Sequence, residues 1–168
     1  MLKVFEQLFH IMIAKALFRI HRTSSLCIFD LDNTLVKTRE FQIFHGATNI
    51  FDNREFPQMT DAALALLKKK QLSEKILILT ARPYSYTFST HKYVKKHGIN
   101  CPVIVCRTAT MKLLYLKEFS KRIEHLSYYD DLTHGTLKIE FYSVLIEEVM
   151  NLNCTYFDNN YIKKNILQ

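Results

Sequence analysis

Short, uninterrupted apolar runs recur along this chain, and they constrain its fold more than any other feature. The runs cover residues 26–29, 76–79, 103–106 and 126–129, with residues 154–157 as a candidate fifth. Each has the length of a strand and lacks the alternation of apolar and polar residues that a half-exposed strand shows. Continuous apolar strands are typical of a sheet that is buried on both faces. The runs therefore predict a mostly parallel sheet.

Longer stretches with helical character lie between these runs. They cover residues 59–70, 86–97, 111–125 and 137–150. Gly98 is a typical helix stop after the second stretch, and the Ala- and Leu-rich segment 61–67 strongly favours a helix. Strands that alternate with helices form βαβ units. We therefore predict an α/β fold, with a doubly wound, mostly parallel sheet of the Rossmann-like kind and helices on both faces.

Polar residues suited to chemistry follow the first, second and fourth apolar runs. The first run ends at Asp30 and Asp32, the second at Thr80, and the fourth at Asp130 and Asp131. In open α/β sheets, ligands bind beyond the carboxyl ends of the strands. We therefore expect these side chains to converge on one crevice.

Asp30 and Asp32 are carboxylates two residues apart, and they can do two different jobs in phosphoryl chemistry. One can attack phosphorus and form an aspartyl-phosphate, while the other gives a proton to the leaving group and takes one from water. Mg²⁺ suits such a site because it prefers hard oxygen ligands and commonly joins carboxylates to phosphates. The alternative is a turn-capping motif, because Asp and Asn are common turn residues.

The other candidate groups each have a functional and a plainer interpretation. Thr80 can offer a hydroxyl and a backbone N–H to a phosphate, or it caps the helix that follows. Asp130 and Asp131 can hold a metal ion, or they stabilise a helix N-terminus. Lys112 can neutralise a nucleophile and a transferred phosphoryl group, although lysine is frequent in this chain.

Three segments, in this order, resemble motifs of the haloacid dehalogenase-like (HAD) hydrolases. Residues 29–35, FDLDNTL, are similar to the first motif, in which two acids and a threonine follow a hydrophobic strand. Residues 77–82, LILTAR, are similar to the second motif, a hydrophobic strand that ends in Thr or Ser. Residues 128–131, YYDD, are similar to the fourth, a strand that ends in paired acids. Order and spacing fit this resemblance over residues 26–135.

The resemblance implies a role for each matched position. Asp30 would be the nucleophile that becomes phosphorylated, Asp32 the general acid and base, and Thr34 a residue that stabilises the loop. Thr80 and Lys112 would complete the catalytic set. The implied substrate-binding residues are Thr80, Ala81, Arg82 and Lys112. The implied Mg²⁺ ligands are Asp30, Asp130, Asp131 and the backbone carbonyl of Asp32.

The third motif of the family is a single lysine, and two lysines fit it. Lys112 and Lys117 lie 18 and 13 residues before Asp130. We prefer Lys112 because it lies near the start of the helix that follows the third apolar run. By the same resemblance, the second acid of the first motif implies a phosphatase rather than a dehalogenase. His134 departs from the Gly- or Ser-rich continuation frequent in the family, and it is either a substrate or Asp131 contact or a surface turn residue.

The gaps between the motifs are too short for the cap domain that many HAD enzymes carry. There are 45 residues between Thr34 and Thr80 and 31 between Thr80 and Lys112. Capless members have open sites and often act on macromolecules, so the resemblance implies a phosphorylated nucleic acid or a phosphoprotein as substrate. The net charge of +7 fits a polynucleotide, or it reflects a solvated lysine-rich surface.

The stretch 39–57 of the first gap has a loop-like composition rich in Phe and Asn. We expect Phe41, Phe44 and Phe51 to pack this loop against the sheet rather than to face the substrate.

Residues 1–24 form a separate N-terminal element in our prediction, ahead of a phosphatase domain over residues 25–168. A helix is indicated by apolar residues at helical spacing, namely Phe5, Leu8, Phe9, Met12 and Ala16. This helix packs on the domain or binds a protein partner through residues 1–22. A mitochondrial presequence is the alternative, because the segment is basic.

The remaining composition bears on the compartment. No apolar run reaches the roughly 18 residues that a membrane span needs. The four cysteines are scattered without metal-binding spacing, which favours a reducing compartment such as the cytoplasm.

The leading hypothesis is a Mg²⁺-dependent, HAD-type phosphatase with an open site. A polynucleotide 3′-phosphatase is its narrower alternative, beside a phosphatase that acts on phosphoserine in proteins. A catalytically idle HAD-fold binding module, recruited through its N-terminal helix, is the alternative from another class.

Overall fold

The computed structural model describes residues 2–21, 24–46, 57–135 and 137–168. The helices are α1 (Leu2–His21), α2 (Thr38–His45), α3 (Asp61–Gln71), α4 (Thr87–Lys96), α5 (Ala109–Ser120), α6 (Ser143–Met150) and α7 (Asn159–Asn165). The strands are β1 (Ser25–Phe29), β2 (Lys75–Thr80), β3 (Val103–Val105), β4 (His125–Tyr129), β5 (Thr133–His134), β6 (Glu140–Phe141) and β7 (Thr155–Phe157). A 3₁₀ turn over Tyr84–Tyr86 precedes α4.

Five of the strands form one parallel sheet in the order β3-β2-β1-β4-β7. The chain moves outward from β1 through β2 to β3, and then returns to add β4 on the other side of β1. The strand order therefore reverses between β1 and β4, and such a switch point opens a crevice beyond the carboxyl ends of the strands. The predicted α/β fold with a mostly parallel sheet is confirmed. The remaining strands, β5 and β6, form a short antiparallel ribbon.

Helices cover both faces of the sheet, which explains why its strands are apolar throughout. Leu26 and Ile28 of β1 belong to a core that also takes residues from α1, α5 and α6. Cys27 and Phe29 of the same strand belong to a second core, with residues from α3, α4 and α7. Successive side chains of a strand point to opposite faces, so both sets must be apolar to be buried.

Helix α1 lies along α5, and its outer side is exposed. Ala14 and His10 are buried in this contact, at 1% and 2% exposure. An exposed apolar row on the other side consists of Phe5, Leu8, Phe9 and Met12. A helix is thus present where the spacing predicts one. Within the described ranges, no helix has both the length and the apolar character needed to cross a membrane.

His10 joins α1 to two other elements. Tyr84 O–H donates to Glu6 at 2.7 Å, so the hydroxyl oxygen of Tyr84 accepts from His10 Nε2, also at 2.7 Å. The other ring nitrogen, Nδ1, then accepts from the hydroxyl of Tyr115 on α5 at 2.6 Å. Burial lowers the pKa of His10 although the charge of Glu6 opposes this, which fits the neutral ring that these bonds require.

The stretch after the first acidic motif differs from the predicted loop, because α2 forms within it. The Asn33 side chain accepts from the backbone N–H of Arg39 at 2.8 Å, and Gly46 ends the helix with a φ of 64°. Phe44 is 85% exposed, so the prediction that it packs against the sheet is wrong. Phe41 is half-buried, and Phe51 lies outside the described residues.

The predicted helix over residues 137–150 begins only at Ser143. Two of the preceding residues belong to the ribbon instead, since Thr133 pairs with Phe141 and His134 with Glu140. Gly135 allows the turn, with a φ of 81° and the carbonyl of Lys138 in the space that a Cβ would need.

The last helix, α7, was not predicted. Asp158 caps it by accepting from the backbone N–H of Tyr161 at 3.0 Å, which is a signal that the sequence carries.

Candidate active site

Lys112 lies between two buried carboxylates at the switch point. Its Nζ donates to Asp30 Oδ1 at 2.6 Å and to Asp130 Oδ2 at 2.7 Å, and all three side chains are at most 6% exposed. Asp30 is the first residue beyond β1 and Asp130 the first beyond β4, while Lys112 is in the first turn of α5. The order of the strands thus brings together residues that are 82 positions apart in sequence.

The carboxylate of Asp130 has further donors that hold it in place. The hydroxyl of Tyr128 donates to Oδ2, and the backbone N–H of Leu132 donates to Oδ1 at 2.8 Å. Leu132 makes this bond from a left-handed conformation with a φ of 44°, which is uncommon for a residue with a bulky side chain. The hydroxyl of Tyr156 donates to the backbone carbonyl of Asp130 at 2.9 Å.

Burial dominates the electrostatics of this group. It raises the pKa of Asp30 well above the ordinary range, and the charges of Asp130 and Asp32 act in the same direction while Lys112 opposes them. Burial alone would lower the pKa of Lys112, but the attraction of Asp130 and Asp30 outweighs it and the pKa is raised. Lys112 therefore remains an ammonium group beside the two carboxyl groups.

Asp32 has partners of its own. Arg82 donates from Nε to Oδ2 and from Nη2 to Oδ1, both at 2.7 Å, and the hydroxyl of Thr38 donates to Oδ1 at 2.7 Å. Burial would raise the pKa of Asp32, but the charge and hydrogen bonds of Arg82 outweigh burial and the pKa is lowered. Asp32 is therefore held as a carboxylate. Arg82, expected to bind substrate, is 1% exposed and directs its guanidinium at Asp32.

Three carboxylates form a cluster that could hold a metal ion. One oxygen from each of Asp30, Asp130 and Asp131 lies within 4.8 Å of the others, and all three residues are buried. Burial and the nearby Asp130 raise the pKa of Asp131 to about 7. Carboxylate oxygens are the ligands that Mg²⁺ prefers, and a cation would offset the cost of burying these charges together. The cluster does not include the carboxylate of Asp32, which faces Arg82.

Thr80 ends β2 with its side chain fully buried, and its hydroxyl has no hydrogen-bond partner among the described residues. The helix after it begins only at Thr87, so the cap interpretation of Thr80 is wrong. Thr80 lines a cavity of about 140 Å³, a size that suits one phosphoryl group. The same cavity is lined by Asp30, Asp32, Ala81, Lys112, Asp130 and Asp131.

Lys117, the second candidate for the motif lysine, lies elsewhere. Its Nζ pairs with Glu148 of α6 at 2.5 Å, and its side chain is 45% exposed. His134 is in β5, where it lies 3.7 Å from Glu140 and packs against the ring of Tyr142. Asp130 and Asp131 are followed by β5 rather than by a helix, so their interpretation as a helix N-terminus is wrong.

The site has further residues, one of them expected from the sequence and others not. Thr34, expected to stabilise the loop, accepts from the backbone N–H of Asp131 at 3.3 Å and so joins the loops after β1 and β4. Thr38 and Tyr128 were missed. Tyr128 is two residues before Asp130 on the same side of its strand, a spacing that could have indicated the contact. Thr38 gives no such signal, because its bond to Asp32 depends on how α2 begins.

Comparison with known proteins gives little beyond this geometry. No protein-family model matches the sequence, and no curated protein matches it. Among solved structures, one chain from the "Structure of the Pnkp1/Rnl/Hen1 RNA repair complex" matches with a TM-score of 0.49 and 19% sequence identity. That match covers 82% of this chain and 43% of the other, so this chain spans less than half the length of its structural neighbour.

Proposed function

We propose that this protein is a Mg²⁺-dependent phosphatase of the HAD type, which hydrolyses a phosphomonoester through an aspartyl-phosphate at Asp30. One observation carries the proposal. A phosphate-sized cavity at the switch point brings together three carboxylates that could hold a metal ion, a buried lysine, and a threonine hydroxyl without a partner among the described residues. An idle binding module would gain nothing from burying so many charges in one place.

The first step needs Asp30 in its ionised form, which burial disfavours and which Lys112 and a bound cation would favour. A carboxylate oxygen of Asp30 then attacks phosphorus, and the bond between phosphorus and the ester oxygen breaks. Lys112 donates to Asp30 and would neutralise the phosphoryl group as it is transferred. The hydroxyl of Thr80 would donate to a phosphoryl oxygen, which gives this buried group the partner that it lacks. The departing oxygen would take a proton that Asp32 has first taken up from solvent, against the preference of Arg82 and Thr38 for its ionised form.

In the second step, water attacks the phosphorus of the aspartyl-phosphate. Asp32, again a carboxylate, takes a proton from this water, and inorganic phosphate leaves with the Asp30 carboxylate restored. Arg82 and Thr38 hold Asp32 in the ionised form that this step needs. Mg²⁺ held by Asp30, Asp130 and Asp131 would neutralise the phosphate and the carboxylate that must approach it.

The test is release of inorganic phosphate from p-nitrophenyl phosphate by the purified chain, with Mg²⁺ or with EDTA. We expect hydrolysis that requires Mg²⁺ and that Asp30→Asn reduces by roughly 10⁴-fold or more, because the nucleophile is lost. Asp61→Asn is the matched control. It removes the same charge from an exposed position in the first turn of α3, and it should retain full activity.

Thermal unfolding with and without Mg²⁺ gives a second measurement that does not depend on turnover. Mg²⁺ at about 100 times its Kd should stabilise the wild-type chain by about 2.7 kcal/mol. Asp30→Asn should lose part of this effect, and Asp61→Asn none of it. Full Mg²⁺-dependent activity in Asp30→Asn would overturn the proposal. Binding of Mg²⁺ without hydrolysis of any phosphomonoester would favour the idle module.

A further inference from the structure

A second, larger cavity lies beside the phosphate-sized one. It has a volume of about 420 Å³, which falls in the range of roughly 300–1,000 Å³ typical of small-molecule sites. Its residues come from β6, α6, β7, the start of α7 and the positions next to β7, together with Asp131 from the loop after β4. The apolar part of its wall consists of Phe141, Ile146, Met150, Cys154 and Tyr156, and the polar part of Asp131, Asp158, Asn159 and Asn160.

Asp131 forms a common wall between the two cavities. They are close at a second point, since Phe141 lines the larger cavity and its neighbour Tyr142 lines the smaller one. Tyr156 also connects them, because it lines the larger cavity and donates its hydroxyl to the backbone carbonyl of Asp130. A molecule whose phosphate lay against Thr80 and Lys112 could therefore extend past Asp131 into the larger cavity.

The charge of the lining limits what can occupy this space. Asp158 is acidic and lies away from the carboxylates that would hold Mg²⁺, and Lys112 of the smaller cavity is the one basic lining residue of either cavity within the described ranges. Arg39 is nearby, but its guanidinium donates to Thr133 Oγ1 at 2.8 Å and to the carbonyl of Gly135 at 3.0 Å. The positive net charge of the chain therefore lies elsewhere, and a second phosphate would be repelled here.

We propose that the larger cavity holds the organic part of the phosphate ester, and that it selects a small aromatic group without a further negative charge. The proposal rests on the proposed phosphatase function. Phe141 and Tyr156 supply aromatic surface for a ring, and Asp158 and the two asparagines supply acceptors for a hydroxyl or amino group on it. A polynucleotide end, which carries a phosphate on the next nucleotide, is disfavoured.

The test is a series of phenyl phosphates that differ in the charge of a para substituent: aminoethyl, ethyl and carboxyethyl. Two methylene groups separate the charge from the ring, so the three esters have similar leaving groups. At low ionic strength, where charges are least screened, we expect kcat/KM to fall from the cation through the neutral ester to the anion, by at least tenfold overall. Asp158→Asn should reduce this ratio to about threefold or less.

Asp158→Asn is a conservative variant because asparagine is as good a helix cap as aspartate, so α7 should be retained. Asp61→Asn removes the same charge from α3 and should keep the full ratio. Phe141→Ala tests the aromatic wall and should raise the KM of the ethyl ester by about 2–10-fold. Phe44→Ala, at an exposed phenylalanine of α2, is its control.

Two results would overturn the cavity assignment while leaving the phosphatase intact. One is hydrolysis of all three esters with equal efficiency, or with the anion preferred. The other is a tenfold preference for a 3′-phosphorylated oligothymidylate over thymidine 3′-monophosphate, which would show that the larger cavity accepts further phosphates. Absence of Mg²⁺-dependent hydrolysis of every ester would instead overturn the phosphatase function itself, and the cavity assignment with it.

Discussion

Asp30 and Asp32 are two residues apart, yet they differ in burial and in how many cationic side chains neutralise them. Asp30 is buried and belongs to a group of three carboxylates with one ammonium group, Lys112. Asp32 is 24% exposed, and Arg82 matches it with one guanidinium and two hydrogen bonds. Burial raises the pKa of the first, and the arginine lowers that of the second against the effect of burial. The surroundings therefore shift the pKa values of two chemically identical side chains in opposite directions.

This contrast indicates where an added cation belongs. The Asp32 half of the site is already neutral, since its acid and base match one to one. The Asp30 half has more carboxylates than ammonium groups, and its members are almost inaccessible to water. A divalent cation would therefore stabilise the Asp30 half and leave the Asp32 half nearly unchanged.

Loss of the ammonium group should have the largest effect of any single change in the Asp30 half. We expect Lys112→Met to lower the free energy of unfolding by about 3–5 kcal/mol, because two buried carboxylates lose their partner. Hydrolysis should fall with it. Lys117→Met is the control, since an exposed ion pair is worth about 0–1 kcal/mol. Chemical denaturation of both variants without metal measures the two free energies of unfolding. Equal values would contradict the difference between the buried and the exposed ion pairs.

Arg82→Lys tests the other half. Lysine cannot reproduce the two parallel bonds to Asp32, so we expect kcat to fall about 10–100-fold through misplacement of the carboxylate. KM should be nearly unchanged, because the guanidinium faces Asp32. A rise in KM with kcat retained would instead support the sequence-based prediction that Arg82 binds the substrate. Steady-state kinetics of this variant and of Arg122→Lys, at an exposed position just after α5, separate the two roles.

Thr38→Val removes one donor from Asp32 while keeping the shape of the side chain. The loss of a hydrogen bond worth about 1 kcal/mol should reduce kcat roughly fivefold. Thr38→Ser retains the hydroxyl and should restore most of the activity. If valine is tolerated fully, Arg82 alone determines the position of Asp32.

His10 bonds residues near both the Asp30 half and the Asp32 half of the site, so we expect its protonation to have a small effect on the stability of the whole chain. It bonds Tyr115, one turn beyond Lys112 on α5, and Tyr84, two residues beyond Arg82. Its pKa is lowered in the folded state from an ordinary value of 6.5, so below that pH the unfolded chain binds a proton that the folded chain does not. Stability should therefore decrease as the pH falls below about 6.5.

Chemical denaturation between pH 7.5 and 5.5 measures this loss. His10→Gln should show a flatter profile than the wild-type chain, because glutamine does not titrate. His97 has a lowered pKa as well, and it contributes the same trend to both proteins. The difference between the two profiles thus isolates His10, and parallel profiles would contradict its burial as a neutral ring.

The sheet and most of the acidic site were predictable because both depend on local sequence. The apolar runs had to be buried on both faces, and Asp30, Thr80 and Asp130 directly follow strands whose carboxyl ends meet at one edge. Lys112 could be preferred over Lys117 from its place near the start of a helix. The partner of Asp32 could not be predicted, because 50 residues separate it from Arg82 and only the pairing of β1 with β2 brings them together.

The other wrong predictions concern secondary-structure elements that depend on tertiary contacts. Residues 137–142 have apolar residues that suit a helix, but Glu140 and Phe141 pair with β5 and the helix begins only at Ser143. The α2 segment resembles a loop in composition, and its first turn is stabilised by the side chain of Asn33, which no local pattern reveals.

The unusual backbone of Leu132 bears on how much the site would have to rearrange during the proposed reaction. A left-handed conformation at such a residue costs about 1–3 kcal/mol, and complete burial of a leucine side chain contributes about 1.5–3 kcal/mol in return. The amide that holds Asp130 is therefore oriented once, when the chain folds. A site that is already arranged when the chain folds needs little reorganisation during the reaction. Its rigidity depends on Leu132, which is buried in the core that also packs on the sheet.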